Sequence, residues 1–130
     1  MRADDCGLPD SVILISNFNQ FLYKLGNLHD CTVLSFEWRP LDRSMSFELR
    51  DIHWNFEGMP EYKGPIPGKI ILQGVHEPTI ALGQVTGSLI ISDFEAEQNQ
   101  EDGSGTASIR FWHGGVIRAP FRRALFPDIP

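Results

Sequence analysis

Residues 32–50, TVLSFEWRPLDRSMSFELR, contain two runs in which apolar and polar side chains alternate. The apolar members of the two runs are Leu34, Phe36 and Trp38, and then Met45, Phe47 and Leu49. A period of two is typical of β-strands with one buried face. The segment 40–44 between the runs is PLDRS, whose proline, aspartate and serine are turn residues. This stretch therefore predicts two β-strands joined by a short turn.

Further apolar runs on the C-terminal side predict more strands. Ile52, Trp54 and Phe56 continue the alternation one position out of phase, which predicts a β-bulge near Arg50–Asp51. A connection rich in glycine and proline follows at 58–68. Strands are predicted at 69–75, 88–96, 106–113 and 116–118, with a polar loop at 98–105 and a two-residue hairpin signal at Gly114–Gly115.

On the N-terminal side the spacing of apolar residues changes to that of a helix. The residues concerned are Leu14, Ile15, Phe18, Phe21, Leu22 and Leu25. Asp10 or Ser11 can cap the start of such a helix, and Gly26 can end it. We therefore predict an amphipathic helix over about 10–25.

These elements predict an α+β fold that is mainly β. None of the connections between strands has the length that parallel pairing requires, so we expect an antiparallel sheet of about six strands, curled into a sandwich or open barrel, with the N-terminal helix packed on it. The length of 130 residues fits one domain, 1–130, with a β region over about 31–119 and a docked tail over about 120–130.

Charge and composition favour some classes of partner over others. The formal net charge of −6 argues against a nucleic-acid partner, although residues 110–130 carry four arginines and one acid. We expect this basic tail to dock on the acidic remainder. The sequence contains neither a secretory signal pattern nor an apolar run long enough to span a membrane. We therefore expect a soluble, cytoplasmic protein in which Cys6 and Cys31 are reduced, with Cys31 as a small core residue.

No motif in the sequence indicates a catalytic residue, a cofactor or a metal. The histidines, His29, His53, His76 and His113, lack the spacing of paired metal ligands, although strand pairing can bring His53 and His113 together. Neither a nucleophile elbow nor a phosphate-binding loop occurs. The pair His29-Asp30 fits a structural role at the end of the helix better than an acid–base role.

Aromatic side chains on predicted strands and loops are the best indication of a binding surface. The candidates for an interaction or ligand surface are His29, Asp30, His53, Trp54, Tyr62, Trp112, His113, Arg122 and Arg123.

Gly26 followed by LHDCTVL at 28–34 resembles small bacterial α+β domains, among them some immunity proteins of polymorphic toxin systems. The resemblance covers about residues 18–56 and implies a non-enzymatic protein that binds and neutralises a partner. It transfers no functional residue. We therefore favour a protein-binding domain whose partner is another protein or a second copy. The alternative is a small-ligand-binding β-barrel, or an enzyme, with a cavity beneath the helix.

Overall fold

The computed structural model describes residues 12–56, 59–60, 62, 64–84 and 87–127. Within these ranges the strands are β1 (Val12–Ile15), β2 (Thr32–Arg39), β3 (Ser44–Leu49), β4 (Gly68–Gln73), β5 (Thr79–Ala81), β6 (Leu89–Gln98), β7 (Gly105–Phe111), β8 (Val116–Phe121) and β9 (Arg123–Pro127). One α-helix, α1, covers Phe18–Lys24, and two 3₁₀ helices cover Gly26–Leu28 and Trp54–Phe56.

The nine strands form one antiparallel sheet in the order β1-β9-β4-β3-β2-β6-β7-β8-β5. Only Arg122 separates β8 from β9, yet β9 is second in this order and β8 is eighth. The sheet must therefore curl until its two ends approach each other. It does not close, because β1 and β5 remain its edges. The predicted fold class, mainly β and antiparallel, is confirmed.

The helix α1 lies in the hollow of this curled sheet. Its Phe18 ring is fully buried, 5.7 Å from the ring of Phe94 on β6 and 5.7 Å from that of Phe121 on β8. Leu22, one turn later, is also buried. One hydrophobic core therefore joins the helix to both halves of the sheet. No helix in the described part of the chain has the length and apolar character needed to cross a membrane.

The predicted helix over 10–25 is wrong in its first half. Val12–Ile15 is a strand that pairs with β9, and the helix begins only at Phe18, after Asn17. The Asn17 side chain caps the helix by accepting a hydrogen bond from the Gln20 backbone N–H, at 3.1 Å. The run Val-Ile-Leu-Ile has high strand propensity, and pairing with β9 overrides the helical spacing. The predicted caps Asp10 and Ser11 lie outside the described residues.

The alternation over 52–56 does not form a strand, and the bulge is not at Arg50–Asp51. Residues 52–56 make a turn and a 3₁₀ helix, while the shift in register lies between Val33 and Ser35 on β2. As a result Val33 is buried and Leu34, predicted to face the core, is 55% exposed. Of the predicted strands, those at 32–38, 45–49, 69–75, 88–96, 106–113 and 116–118 match β2, β3, β4, β6, β7 and β8.

Three strands were not predicted: β1, β5 and β9. Within the region predicted as a docked tail, Arg123–Pro127 is β9, paired between β1 and β4, and residues 128–130 lie outside the described part. The loop between β6 and β7 lies where it was predicted. The connection from β7 to β8 has four residues, 112–115, rather than two, because the Phe111 backbone N–H bonds to the carbonyl of Gly115.

Candidate functional site

Four of the predicted surface residues meet at one corner of the molecule, which we call the aromatic corner: His29, Asp30, Trp54 and Trp112. The indole Nε1 of Trp112 donates a hydrogen bond of 2.6 Å to Oδ1 of Asp30. The other carboxylate oxygen of Asp30 lies 3.3 Å from Nδ1 of His29, whose ring packs edge-on against Trp112 with centroids 5.6 Å apart. Asp30 and Trp54 line one small pocket of about 60 Å³. All four side chains are at least partly exposed.

The backbone that presents this corner is held in an uncommon conformation. Asn27, Leu28 and Asp30 have φ of 55°, 54° and 65°, in the left-handed region, where a residue other than glycine costs about 1–2 kcal/mol. Two features hold the segment in place. The Leu28 side chain is fully buried, and the Asp30 N–H donates to the carbonyl of Ile91 on β6 at 2.8 Å. The corner is therefore fixed before any partner arrives.

Asp51 fixes the loop that carries Trp54. Its carboxylate is buried and accepts three hydrogen bonds: from the His53 N–H at 3.0 Å, from the Ile66 N–H at 3.1 Å and from the Tyr62 hydroxyl at 2.7 Å. The predicted residues His53 and Tyr62 thus lie on the same loop as Trp54. The bonds to Asp51 take the place of the backbone hydrogen bonds that a strand over 52–56 would make with a neighbouring strand. The predicted strand therefore does not form.

Cys31, next to Asp30 in the sequence, is buried in the core, where its thiol is a poor nucleophile at neutral pH. Burial, with smaller contributions from the charges of Asp51 and Asp30, raises the pKa of its thiol from the ordinary 9.0 to about 12. The thiol donates to the backbone carbonyl of Asp51, with Sγ 3.3 Å from the oxygen. A reactive cysteine needs a pKa shift in the opposite direction. The predicted core position of Cys31 is confirmed.

The other three predicted residues lie elsewhere. His113 Nε2 is 2.7 Å from the carbonyl oxygen of Leu82, beyond β5. Arg122 sits between β8 and β9, and Arg123 donates from Nε to the side-chain oxygen of Gln73 on β4. The Ser104 N–H and hydroxyl lower the pKa of Asp102, and the Arg122 charge adds a smaller effect in the same direction.

A long open groove, which we call the edge groove, runs between α1 and β6. Its volume is about 920 Å³. One wall carries polar side chains of the helix, including Asn19, Gln20 and Tyr23, and the other is formed by the strand from Phe94 to Gln98. Tyr23 is 77% exposed. The groove adjoins the aromatic corner, because Asn27, just before His29 and Asp30, also lines it.

Gln98 lines the edge groove beside the start of α1. Its side-chain oxygen accepts a hydrogen bond from the Phe18 N–H at 2.6 Å. Its amide nitrogen donates to the carbonyls of Ile15 at 3.1 Å and Gly103 at 2.9 Å. This one side chain thus ties together β1, the start of α1 and the loop after β6.

Among the described residues, no group of three or more His, Cys, Asp or Glu side chains is placed to hold a metal ion. Neither His53 nor His113 belongs to such a group within this part of the chain.

Sequence reasoning missed Asp51, Gln98 and the edge groove. Asp51 carried a weak signal, because it ends the alternating pattern just where the register was expected to slip. Gln98 gave none, because a glutamine at the end of a strand usually faces solvent. The groove depends on how the helix packs beside β6, which no local pattern encodes.

Comparison with known proteins adds no relative: no family model, no curated protein and no solved structure matches this chain.

Proposed function

We propose that this chain is a non-enzymatic protein-binding domain whose aromatic corner contacts the partner. The observation that carries the proposal is Trp112, a side chain that is 59% exposed and yet fixed by its hydrogen bond to Asp30. Trp54, 42% exposed, lines a small pocket together with Asp30. An exposed large apolar side chain in a fixed orientation is costly in water and useful in an interface.

Interface energetics support this use of the corner. Tryptophan, tyrosine and arginine are enriched among the residues that dominate binding energy. Arg50 lines the small pocket of the corner together with Trp54. A side chain that is already ordered loses less conformational entropy on binding, a saving of about 0.5–1.5 kcal/mol for each such side chain. The hydrogen bond from Trp112 to Asp30 supplies this order in the free protein.

The alternative, a ligand-binding barrel or an enzyme, needs a cavity beneath α1. The buried side of α1 is filled, because Phe18 and Leu22 pack directly against the sheet and Phe18 touches the rings of Phe94 and Phe121. The cysteine nearest to the His29–Asp30 pair holds its proton well above neutral pH. Both observations favour binding over catalysis.

The class of partner follows from the charge of the chain. A net charge of −6 attracts a basic partner and repels an acidic one. An immunity-like role, in which the domain neutralises a basic toxin by covering its surface, fits this expectation. Homodimer formation is the competing use of the same corner.

The proposal is tested by capture followed by measured affinity. Wild-type protein and two variants, Trp112→Ala and Leu41→Ala, serve as baits in a lysate of the source organism. Leu41 is the matched control, because it is a fully exposed apolar side chain at the turn between β2 and β3. The captured protein is then purified, and its dissociation constant is measured by calorimetry with each bait.

We expect Trp112→Ala to weaken binding by at least ~2 kcal/mol and Leu41→Ala to leave it unchanged. Circular dichroism checks that both variants are folded. Equal affinity of the two variants, or failure to capture any protein with the wild type, contradicts the proposal. If the captured protein is a second copy of this chain, seen as a dimer in sedimentation, the corner serves self-association and does not bind a foreign partner.

A further inference from the structure

The strand β6 has an open edge where it borders the edge groove. Its pairing with β2 is limited to Leu89 and Ile90, and hydrogen bonds with the 30–31 segment end at Ile91. Within the described part of the chain, residues 92–98 of β6 have a neighbouring strand on one side only, and that strand is β7. The other side faces α1 across the groove.

The groove runs along this edge and does not lie over one face of the sheet. Five consecutive residues, from Phe94 to Gln98, line it. Successive side chains of a strand point to opposite faces, so a groove over one face would be lined by every second residue. Lining by consecutive residues shows that the edge of the strand, with its backbone, borders the groove.

The charges along the edge are all of one sign. Glu95 and Glu97 are exposed and line the groove, and none of the described lining residues is lysine or arginine. The helix wall supplies neutral polar groups, among them the amides of Asn19 and Gln20 and the exposed ring of Tyr23. An amide can bond to a peptide backbone, and a tyrosine ring can pack against a cationic side chain.

We propose that the edge groove binds an extended, basic segment of a protein partner, which pairs as an additional strand with the open edge of β6. This inference deepens the proposed function, because it names the chemistry of the partner. Main-chain hydrogen bonds to the strand edge hold the segment, and its lysine or arginine side chains face Glu95 and Glu97. Five residues of strand span about 17 Å, enough for a short segment between Ile91 and the Gln98 side chain.

Charge excludes the obvious competitor, a second copy paired through the same edge. An antiparallel pair of β6 strands centred on Ala96, the middle of the strand segment that lines the groove, would place Glu95 of each copy opposite Glu97 of the other. Like charges across a strand pair are destabilising. The two glutamates thus prevent self-pairing and select a basic segment.

The test uses the full-length protein labelled with ¹⁵N and three synthetic peptides. The first is an octapeptide of alternating lysine and threonine, and the second replaces lysine with glutamate. The third keeps lysine and replaces threonine with proline, so that it retains the charge and loses every second amide donor. Binding is followed by changes in the amide NMR signals of the protein.

Two double variants test the location of the site. Glu95→Lys/Glu97→Lys reverses the charge in the groove. Glu37→Lys/Glu77→Lys makes the same change in net charge at exposed positions that do not line it. We expect the lysine–threonine peptide to shift signals of residues 92–98, and the groove variant to weaken its binding at least about tenfold, against less than about twofold for the control variant.

The proline peptide and the glutamate peptide should both bind at least about tenfold more weakly than the lysine–threonine peptide. Shifts confined to other residues, equal effects of the two double variants, or equal binding of the proline peptide would overturn the inference. Its failure is distinct from that of the proposed function. If Trp112→Ala abolishes partner binding and Glu95→Lys/Glu97→Lys does not weaken it, the corner binds the partner and the groove does not.

Discussion

Trp112 donates its indole hydrogen to Asp30 across 82 positions of sequence, and this bond connects the hairpin after β7 to the segment that follows α1. Neither residue belongs to a strand. The bond therefore fixes two connecting segments to each other, at the point where β6 changes its neighbour from β2 to the open groove.

The first prediction concerns this bond. Trp112→Phe keeps an aromatic ring and removes the donor, so we expect the free energy of unfolding to fall by about 1 kcal/mol. Urea denaturation followed by circular dichroism measures the change. Trp54→Phe, at the other exposed tryptophan of the corner, is the control and should change stability by less than about 0.5 kcal/mol. Equal effects would contradict the role given to the bond.

The second prediction concerns the buried carboxylate of Asp51. Asp51→Ala leaves two backbone N–H groups and the Tyr62 hydroxyl without this acceptor, so we expect a loss of about 3 kcal/mol. Asp51→Asn retains an acceptor and should cost about 1 kcal/mol. Asp42→Ala, which removes an exposed partner of Arg39, should cost less than about 0.5 kcal/mol.

A double-mutant cycle sharpens this test. Tyr62→Phe alone removes one hydroxyl and should cost about 1 kcal/mol, but much less when Asp51 is already alanine. Strictly additive free energies of unfolding would show that the bond from Tyr62 to Asp51 contributes nothing to stability.

The third prediction follows from the raised pKa of Cys31. In a Cys6→Ser variant, whose remaining cysteine is Cys31, a thiol-specific reagent such as Ellman's reagent should react at neutral pH only at the rate at which the protein opens. Adding urea should raise the rate of labelling in parallel with unfolding. Rapid labelling of the fully folded protein would contradict the burial of this thiol.

The same pKa shift has a consequence for stability. Below pH 9 the thiol keeps its proton in both the folded and the unfolded chain. At higher pH the unfolded chain releases the proton, whereas the folded protein holds it until pH about 12. The contribution of Cys31 to stability therefore decreases as the pH rises between these values. A Cys31→Ala variant should show a shallower decline of urea stability over this range than the parent.

The fourth prediction concerns Gln98. Gln98→Glu has nearly the same shape, but it removes the two hydrogen bonds donated to Ile15 and Gly103 and places a carboxylate oxygen against a carbonyl. We expect a loss of about 2–3 kcal/mol. Gln100→Glu, an exposed position two residues later, is the matched control and should cost less than about 0.5 kcal/mol. Thermal unfolding at neutral pH compares the two variants.

The fifth prediction concerns the register shift in β2. Val33→Ser should reduce the free energy of unfolding by about 2 kcal/mol, because Val33 is buried. Leu34→Ser should change it by less than about 0.5 kcal/mol, because Leu34 points away from the core. A larger loss of stability for Leu34→Ser than for Val33→Ser would contradict the register shift, because it would mean that Leu34 faces the core as the regular alternation predicts.

The sequence predicts most of the sheet because most strands carry their signal locally. Phe47 and Leu49 on β3, and Ile70 and Leu72 on β4, alternate with polar or half-buried residues as a strand with one buried face requires. The predicted helix begins too early, because Leu14 and Phe18 have a spacing that also suits a helix. Residues 12–15 form a strand because they pair with β9, as Leu14 does with Leu125, and this partner segment is far away in the sequence.

In the candidate site, too, the residue types could be predicted from the sequence but their spatial arrangement could not. His29, Asp30, Trp54 and Trp112 could be singled out from residue type alone. Their contact could not, because it depends on a sheet whose order brings residue 30 next to residue 112. Asp51 was overlooked because buried aspartates are rare and the sequence does not show burial.

The position of β9, second in the sheet but last among the described strands in sequence, has a consequence for the order in which the chain can fold. β4 and β1 both need β9 as a neighbour, and β9 follows nearly everything else in the described sequence. Contacts between segments so distant in sequence form late and make folding slow. During synthesis β1 and α1 would leave the ribosome long before residues 123–127, and their apolar side chains would have no sheet to cover. A chaperone that holds this N-terminal segment should therefore raise the yield of folded protein more than one that acts after release.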